Sequence, residues 1–119
     1  LILINKETNE VILENLQIAD CFFKRLKGLM FKKEIQEKDG LQIKPCNQIH
    51  TFFMKFSIDV LYLDKSNKII YIDEDFNPGK IGKFVKGGKS VIELQSGKIK
   101  ELDIKVGEIV EVGGVLQNK

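Results

Sequence analysis

The stretch PCNQIHTFFMKFSIDVLYLD, residues 45–64, decides how this chain is read. It holds the only histidine, His50, one of two cysteines, Cys46, one of two methionines, Met54, and three of eight phenylalanines. Its second half, IDVLYL, is apolar except for Asp59, the pattern of a strand covered on both faces. Its first half, residues 49–53, reads as another extended run, so the stretch is expected to form a central strand pair. On a strand Gln48, His50, Phe52 and Met54 would face one way, and Ile49, Thr51, Phe53 and Lys55 the other.

Outward from this stretch the chain alternates short apolar runs with polar turns. DKSN, residues 64–67, is a hairpin turn whose Asp, Ser and Asn suit local backbone hydrogen bonds. KIIYID, residues 68–73, returns as its partner strand. Residues 77–88 form a loop rich in Gly and Lys, anchored by Phe84 and Val85. Residues 90–94 and 107–112 read as strands, residues 97–102 as a short helix or turn, and residues 113–119 as a tail. Upstream, residues 1–4 and 10–16 read as two strands joined by a polar turn. Asp20 is the expected N-cap of a helix. Phe22, Phe23, Leu26, Leu29 and Met30 repeat at three- and four-residue spacing, one apolar helical face. Gly28 ends that helix in a left-handed turn. Residues 40–44 form a short strand stopped by Pro45.

About eight short strands and one clear helix, closely spaced, predict an α+β, mostly β fold. The expected form is a bent antiparallel sheet or a small β-barrel with one flanking helix. At 119 residues the expectation is a single domain, 1–119, with a core that needs neither metal nor disulfide. A net charge of +2 gives no clustered basic face for nucleic acid. The opening LILINKETNE has neither the basic start nor the long apolar core of a signal peptide. No window is long and apolar enough for a membrane-spanning helix. A cytoplasmic protein with reduced Cys21 and Cys46 is therefore expected, although a disulfide and a leader removed upstream of Leu1 both stay open.

Five segments occur in order: RLKGLM (25–30), GLQIKPCNQIHTFFM (40–54), IDVLYLD (58–64), VIELQSG (91–97) and IKVGE (104–108). Together they resemble the domain of unknown function 192 family, small bacterial and archaeal proteins, over nearly the whole chain. Two positions depart from the family pattern: Phe53 stands where many members carry Trp, and Glu108 where Asp is commoner. The resemblance implies a β-rich single domain and no particular activity. A bacterial source is the expectation that goes with it.

Function must then be read from side-chain chemistry. A histidine side chain is the usual acid, base or ligand near neutral pH, so His50 is the natural candidate for that role, or else an imidazole satisfied within the fold. Asp59, set in an apolar strand, must be paired or hydrogen-bonded. Its candidate partners are Arg25, His50, Lys55 and backbone amides of a neighbouring turn. Arg25 is the only arginine among 19 basic residues, and a lysine cannot replace its planar fork. Cys46 and His50 suggest a nucleophile and base, but four residues through a proline turn do not make them meet. Met30, Cys46, His50 and Met54 form a soft-ligand set that would suit Cu(I), with core filling the plainer reading of the methionines. Glu93 is expected to alternate outward between Ile92 and Leu94, into solvent or toward a partner lysine. GGKS, residues 87–90, lacks the spacing of a phosphate-binding loop.

The expected function is a non-catalytic binding or accessory module with no metal and no cofactor. Its recognition surface is drawn from Arg25, Cys46, His50, Thr51, Met54 and Asp59, walled by Phe52 and Phe53. The expected partner is a small molecule or a protein, with no nucleic acid and no membrane span. Two rivals remain. One is an enzyme using His50 as base, oriented by Asp59, with Cys46 or a water as nucleophile. The other is a purely structural domain.

Overall fold

The computed structural model describes residues 1–114, apart from the Phe23 side chain. The expected place of the Phe23 side chain on the apolar helical face and the far end of the tail, 115–119, therefore fall outside what the structure describes. In chain order the elements are β1 (Ile2–Asn5), β2 (Glu10–Leu13), β3 (Asn15–Ala19), α1 (Phe22–Lys27), β4 (Asp39–Ile43), β5 (Ile58–Leu63), β6 (Ile69–Phe76), β7 (Ser90–Gln95), α2 (Lys98–Glu101) and β8 (Val110–Gly113). They form two sheets, ordered β2-β1-β8 and β3-β4-β7-β5-β6. The mostly β class holds, but no barrel closes among the described residues.

One pairing breaks the expected antiparallel pattern. β3 lies parallel to β4, with Leu16 opposite Gly40 and Ile18 opposite Gln42. Parallel neighbours need a crossover, since no tight turn can join them. Residues 20–38, carrying α1, make that crossing. The helix is thus placed by topology on one face of the larger sheet, although it has only six residues.

Strand alternation gives the larger sheet two chemically distinct faces. Leu41, Glu93 and Val60 pair across β4, β7 and β5, so they share one face. The next row, Gly40, Leu94 and Asp59, points to the other. Both faces are covered, which is why all six residues of β5 are buried. Leu61, Leu63, Ile92 and Leu94 pack with Leu3, Ile12 and Leu13 of the smaller sheet and with Ile99 of α2. On the opposite face Ile43, Val60, Tyr62 and Val91 pack under Leu29, Ile35, Ile49 and Met54. Gly40 is required where these layers meet. A Cβ there would collide with Leu13 Cδ1 and lie 3.2 Å from the Glu93 carbonyl oxygen.

Several local expectations need correction. Residues 10–16 are not one strand; they split at Glu14 into β2 and β3. The N-cap of α1 is Cys21, not Asp20, and it makes no side-chain capping bond. Gly28 does end the helix, at φ +48, with its amide donating to Lys24 O. The predicted apolar helical face is not fully covered: Phe22 and Leu26 are exposed, while Leu29 is buried.

Residues 49–53 are not a strand either, so the stretch 45–64 supplies one strand of the sheet rather than two. It loops against residues 77–82 instead, pinned by Thr51. The Thr51 amide donates to Lys80 O at 2.8 Å. Its hydroxyl donates to Asn77 O at 2.7 Å and accepts from Lys80 N at 2.9 Å. Phe53 turns to φ +63, which ends the alternation. A threonine that bonds locally on both sides competes with the sheet ladder for the backbone around it.

Candidate functional site

The crossover and the loop after β4 enclose a cavity of about 250 Å³ against the α1 face of the sheet. Phe22, Arg25, Leu26, Gly28 and Met30 line it from α1 and the turn that follows. Ile43 lines it from β4, and Pro45, Cys46, Gln48, Ile49, His50 and Met54 from the loop. Glu93 reaches it from β7. Three of the five segments that carry the family resemblance therefore meet at one place.

Glu93 is the residue that sequence reasoning missed. It alternates away from Ile92 and Leu94 as expected, but that side of the sheet is a second core, not solvent. Glu93 is 2% exposed. Its Oε1 is buried without a hydrogen-bond partner among the described residues, as is Arg25 Nε. Burial pushes the Glu93 carboxyl up to about 8 from its ordinary 4.5. The turn at Gly28 closes over it, with Oε1 3.9 Å from where a Cβ on Gly28 would sit. The signal was present in the run V-I-E-L: apolar residues of both parities, Val91 and Ile92, mark a strand buried on both faces.

Of the six expected site residues, Arg25, Cys46, His50 and Met54 line the cavity. Thr51 and Asp59 do not; Thr51 is the loop staple described above. Asp59 points to the opposite face of the sheet from Glu93. There its Oδ1 accepts from Asp75 N at 2.9 Å, and its Oδ2 from Gly97 N and Ile99 N, each at 3.0 Å. It supplies from β5 the cap that α2 does not make for itself. Neither Arg25 nor His50 is its partner, so the His50–Asp59 dyad that the enzyme reading needs is not assembled. The aromatic walls also differ from expectation. Phe52 stacks on His50 at 5.2 Å between centroids, and Phe53 stacks on Phe31 at 5.5 Å, with Phe31 and Phe53 both turned outward.

His50 Nδ1 accepts from the Phe52 amide at 3.2 Å, so its neutral form carries the proton on Nε2. The Cys46 thiol donates to Gln48 O at 3.2 Å rather than to His50. Burial, the largest influence, raises the Cys46 thiol above its ordinary value. Both cysteines are free, Cys21 exposed and Cys46 half-buried. A raised, half-buried thiol is a poor nucleophile at neutral pH. Alkylation with iodoacetamide at pH 7.5, followed by mass spectrometry, is expected to modify Cys21 at least about tenfold faster than Cys46. The reverse order would point to an activated Cys46 thiolate.

Arg25 Nη1 donates to Pro45 O at 3.3 Å, which ties the helix to the loop. Among the described residues no group of three His, Cys, Asp or Glu could hold a metal ion. No helix among them is long and apolar enough to cross a membrane. A second cavity, of about 330 Å³, lies on the other side of Gly28 and is lined by Asn15, Gln17, Lys32, Glu34 and Asp39 among others. None of the unpartnered buried atoms belongs to its lining residues.

The sequence model of the family DUF192, described as uncharacterized ACR, matches residues 3–112. A UPF0127 protein of Thermococcus sibiricus is 35% identical over 117 residues, covering 92% of this chain and 73% of its own length. Another, from Pyrococcus abyssi, is 35% identical over 100 residues, covering 80% of this chain and 83% of its own. These relatives are archaeal and lend no support to the expected bacterial source. Among solved structures, a protein of unknown function from Novosphingobium aromaticivorans superposes with a TM-score of 0.81 at 19% identity, over 93% of this chain and 82% of that one. A second, described as a putative transcription regulator from Sinorhizobium meliloti, gives 0.80 at 21% identity, over 92% and 89%. At such identities the likeness is one of fold.

Proposed function

The chain belongs to the DUF192 family, and we propose that it is a non-catalytic recognition domain whose cavity beneath α1 takes a small, partly apolar molecule. One observation carries the reading: an unpartnered carboxyl, Glu93, is held in an otherwise largely apolar cavity. Burying a polar group without a partner costs roughly 1–3 kcal/mol, a cost that an apolar residue in β7 would avoid. A ligand that supplies the missing hydrogen bond gives that cost a use. Polar groups placed sparsely in apolar walls are the ordinary make-up of a ligand site. The volume equals about eight waters, which suits a molecule of one ring or a short chain.

On this reading Arg25, Cys46, His50 and Met54 contact the ligand, and Thr51 holds the loop that carries them. The chain acts as one domain in the cytoplasm, where Cys21 and Cys46 stay reduced. Amide NMR shifts measured against a set of one-ring compounds at millimolar concentration test it. Shifts are expected to cluster at Gly28, Cys46 and Ile49 and on the His50 ring. If every compound leaves those signals in place, the cavity is not a binding site.

A further inference from the structure

Resting on that reading, the inference concerns the ligand's head group. We infer that the cavity takes a small organic ammonium ion, its apolar body against Leu26, Ile43, Ile49 and Met54 and its N–H groups donating to the Glu93 carboxyl.

Among the described residues, no cation that faces the cavity or packs behind it forms an ion pair with Glu93. From α1, Arg25 gives Nη1 to Pro45 O and leaves Nε without a partner, but it lies outside ion-pair distance of Glu93. Lys27, beside it, is exposed and forms no ion pair, the pairs among the described residues being Lys38–Glu14 and Lys105–Asp103. From the loop, Cys46 donates to Gln48 O and His50 Nδ1 accepts from Phe52 N. From β5, Tyr62 is a phenol whose burial holds its proton well above the ordinary range. β4 offers Leu41 and Ile43, both apolar. The described residues thus leave a buried acceptor with no cation paired to it.

Where Glu93 is ionised, at about pH 8 and above, a ligand anion would be repelled and a neutral donor would leave the carboxylate charge uncompensated. An ammonium group meets both needs, because charge-assisted N–H bonds to a carboxylate are the strong ones in a site of low dielectric. The walls then select an amine with an apolar body. An engineered apolar cavity of about 150 Å³ already admits benzene, so this one has room for a ring bearing a methylammonium group.

The free site holds a proton at neutral pH, because burial lifts Glu93 to about 8. Ammonium binding must expel that proton. Affinity should therefore rise roughly 50-fold from pH 6 to pH 8, with nearly one proton released at pH 7.

The test is calorimetric titration of the full chain with benzylamine, benzyl alcohol and benzoate at pH 6, 7 and 8, repeated in buffers of different ionisation enthalpy. Benzylamine is expected to bind at least about tenfold more tightly than the other two at pH 8, with proton release at pH 7. Glu93→Gln should abolish that preference; a preference that survives the substitution overturns the assignment of the ammonium group to Glu93. The pH dependence and proton count of the unaltered chain decide the matter without the variant, should it fold poorly. Equal or tighter binding of the alcohol or of benzoate overturns the ammonium assignment while leaving the cavity reading intact. Binding of none of the three at millimolar concentration overturns both.

Discussion

Replacing Asp59 with alanine is expected to lower the unfolding free energy by about 3–5 kcal/mol, a large share of what a domain of this size has. The expectation follows from position, not from an ion pair. Asp59 is wholly buried and accepts three backbone amides, from Asp75, Gly97 and Ile99. Two of those donors open α2, which has no capping side chain of its own. The third belongs to Asp75, at φ +50 within β6. Removing the carboxylate strands all three at once, and hydrogen bonds to a charged acceptor contribute about 1.5–3 kcal/mol each before water and relaxation recover part of the loss. Asp59→Asn keeps one acceptor oxygen and should cost less than half as much. Urea denaturation read at constant m-value measures both. A loss below about 1 kcal/mol for the alanine variant would mean that the amides find other acceptors and that the cap is dispensable. Neither variant should move the His50 ring signals, because Asp59 and the cavity lie on opposite faces of the sheet. A displaced imidazole signal would revive the His50–Asp59 pair.

How much of this was legible beforehand varies with how local its cause is. The hairpin at residues 64–67 was legible because its bonds are local: Asp64 Oδ1 accepts from the amides of Ser66 and Lys68, two and four residues on. The double-sided burial of β5 was legible from an unbroken apolar run. The end of α1 was legible from Gly28, which stops the helix at positive φ. The loop at residues 49–53 was not, because the partners of Thr51 lie 26 and 29 residues away. For the same reason Asp59 was read as needing a partner, but the donors, up to 40 residues distant, could not be chosen from spacing. The parallel β3–β4 pair was hidden by the shortness of α1, which does not look like a crossover helix. In the site, four of six residues converge because the loop and α1 were both recognised as chemistry-bearing. Thr51 and Asp59 were drawn in by polarity alone, and polarity in a buried stretch more often marks a structural bond than a ligand contact.

Glu93 produces the second large effect, with the opposite sign to the usual carboxylate. Its folded value, about 8, lies above its ordinary value of 4.5. Between those two pH values the folded chain holds a proton that the unfolded chain has released. The unfolded state therefore binds fewer protons, and stability falls as pH rises. The decline begins near pH 4.5, steepens to about 1.4 kcal/mol per pH unit, and levels off above pH 8. Its full depth is on the order of 3–5 kcal/mol, with relaxation of the site expected to reduce it. Glu93→Gln has the shape of the protonated acid and no charge to release. It should remove the decline, leaving the variant close to the parent near pH 5 and more stable by a few kcal/mol at pH 9. Thermal or urea unfolding of both proteins from pH 4 to pH 9 gives two curves that separate upward of pH 5. Parallel curves would place the Glu93 carboxylate in contact with a compensating charge or with solvent, and would remove the physical basis for a ligand cation in the cavity. The same experiment with benzylamine present should restore the parent's stability at pH 8, since a ligand that binds only the folded state stabilises it in proportion to the logarithm of its concentration over Kd. A buried acid that weakens the empty domain and strengthens the occupied one is how this fold would link stability to occupancy.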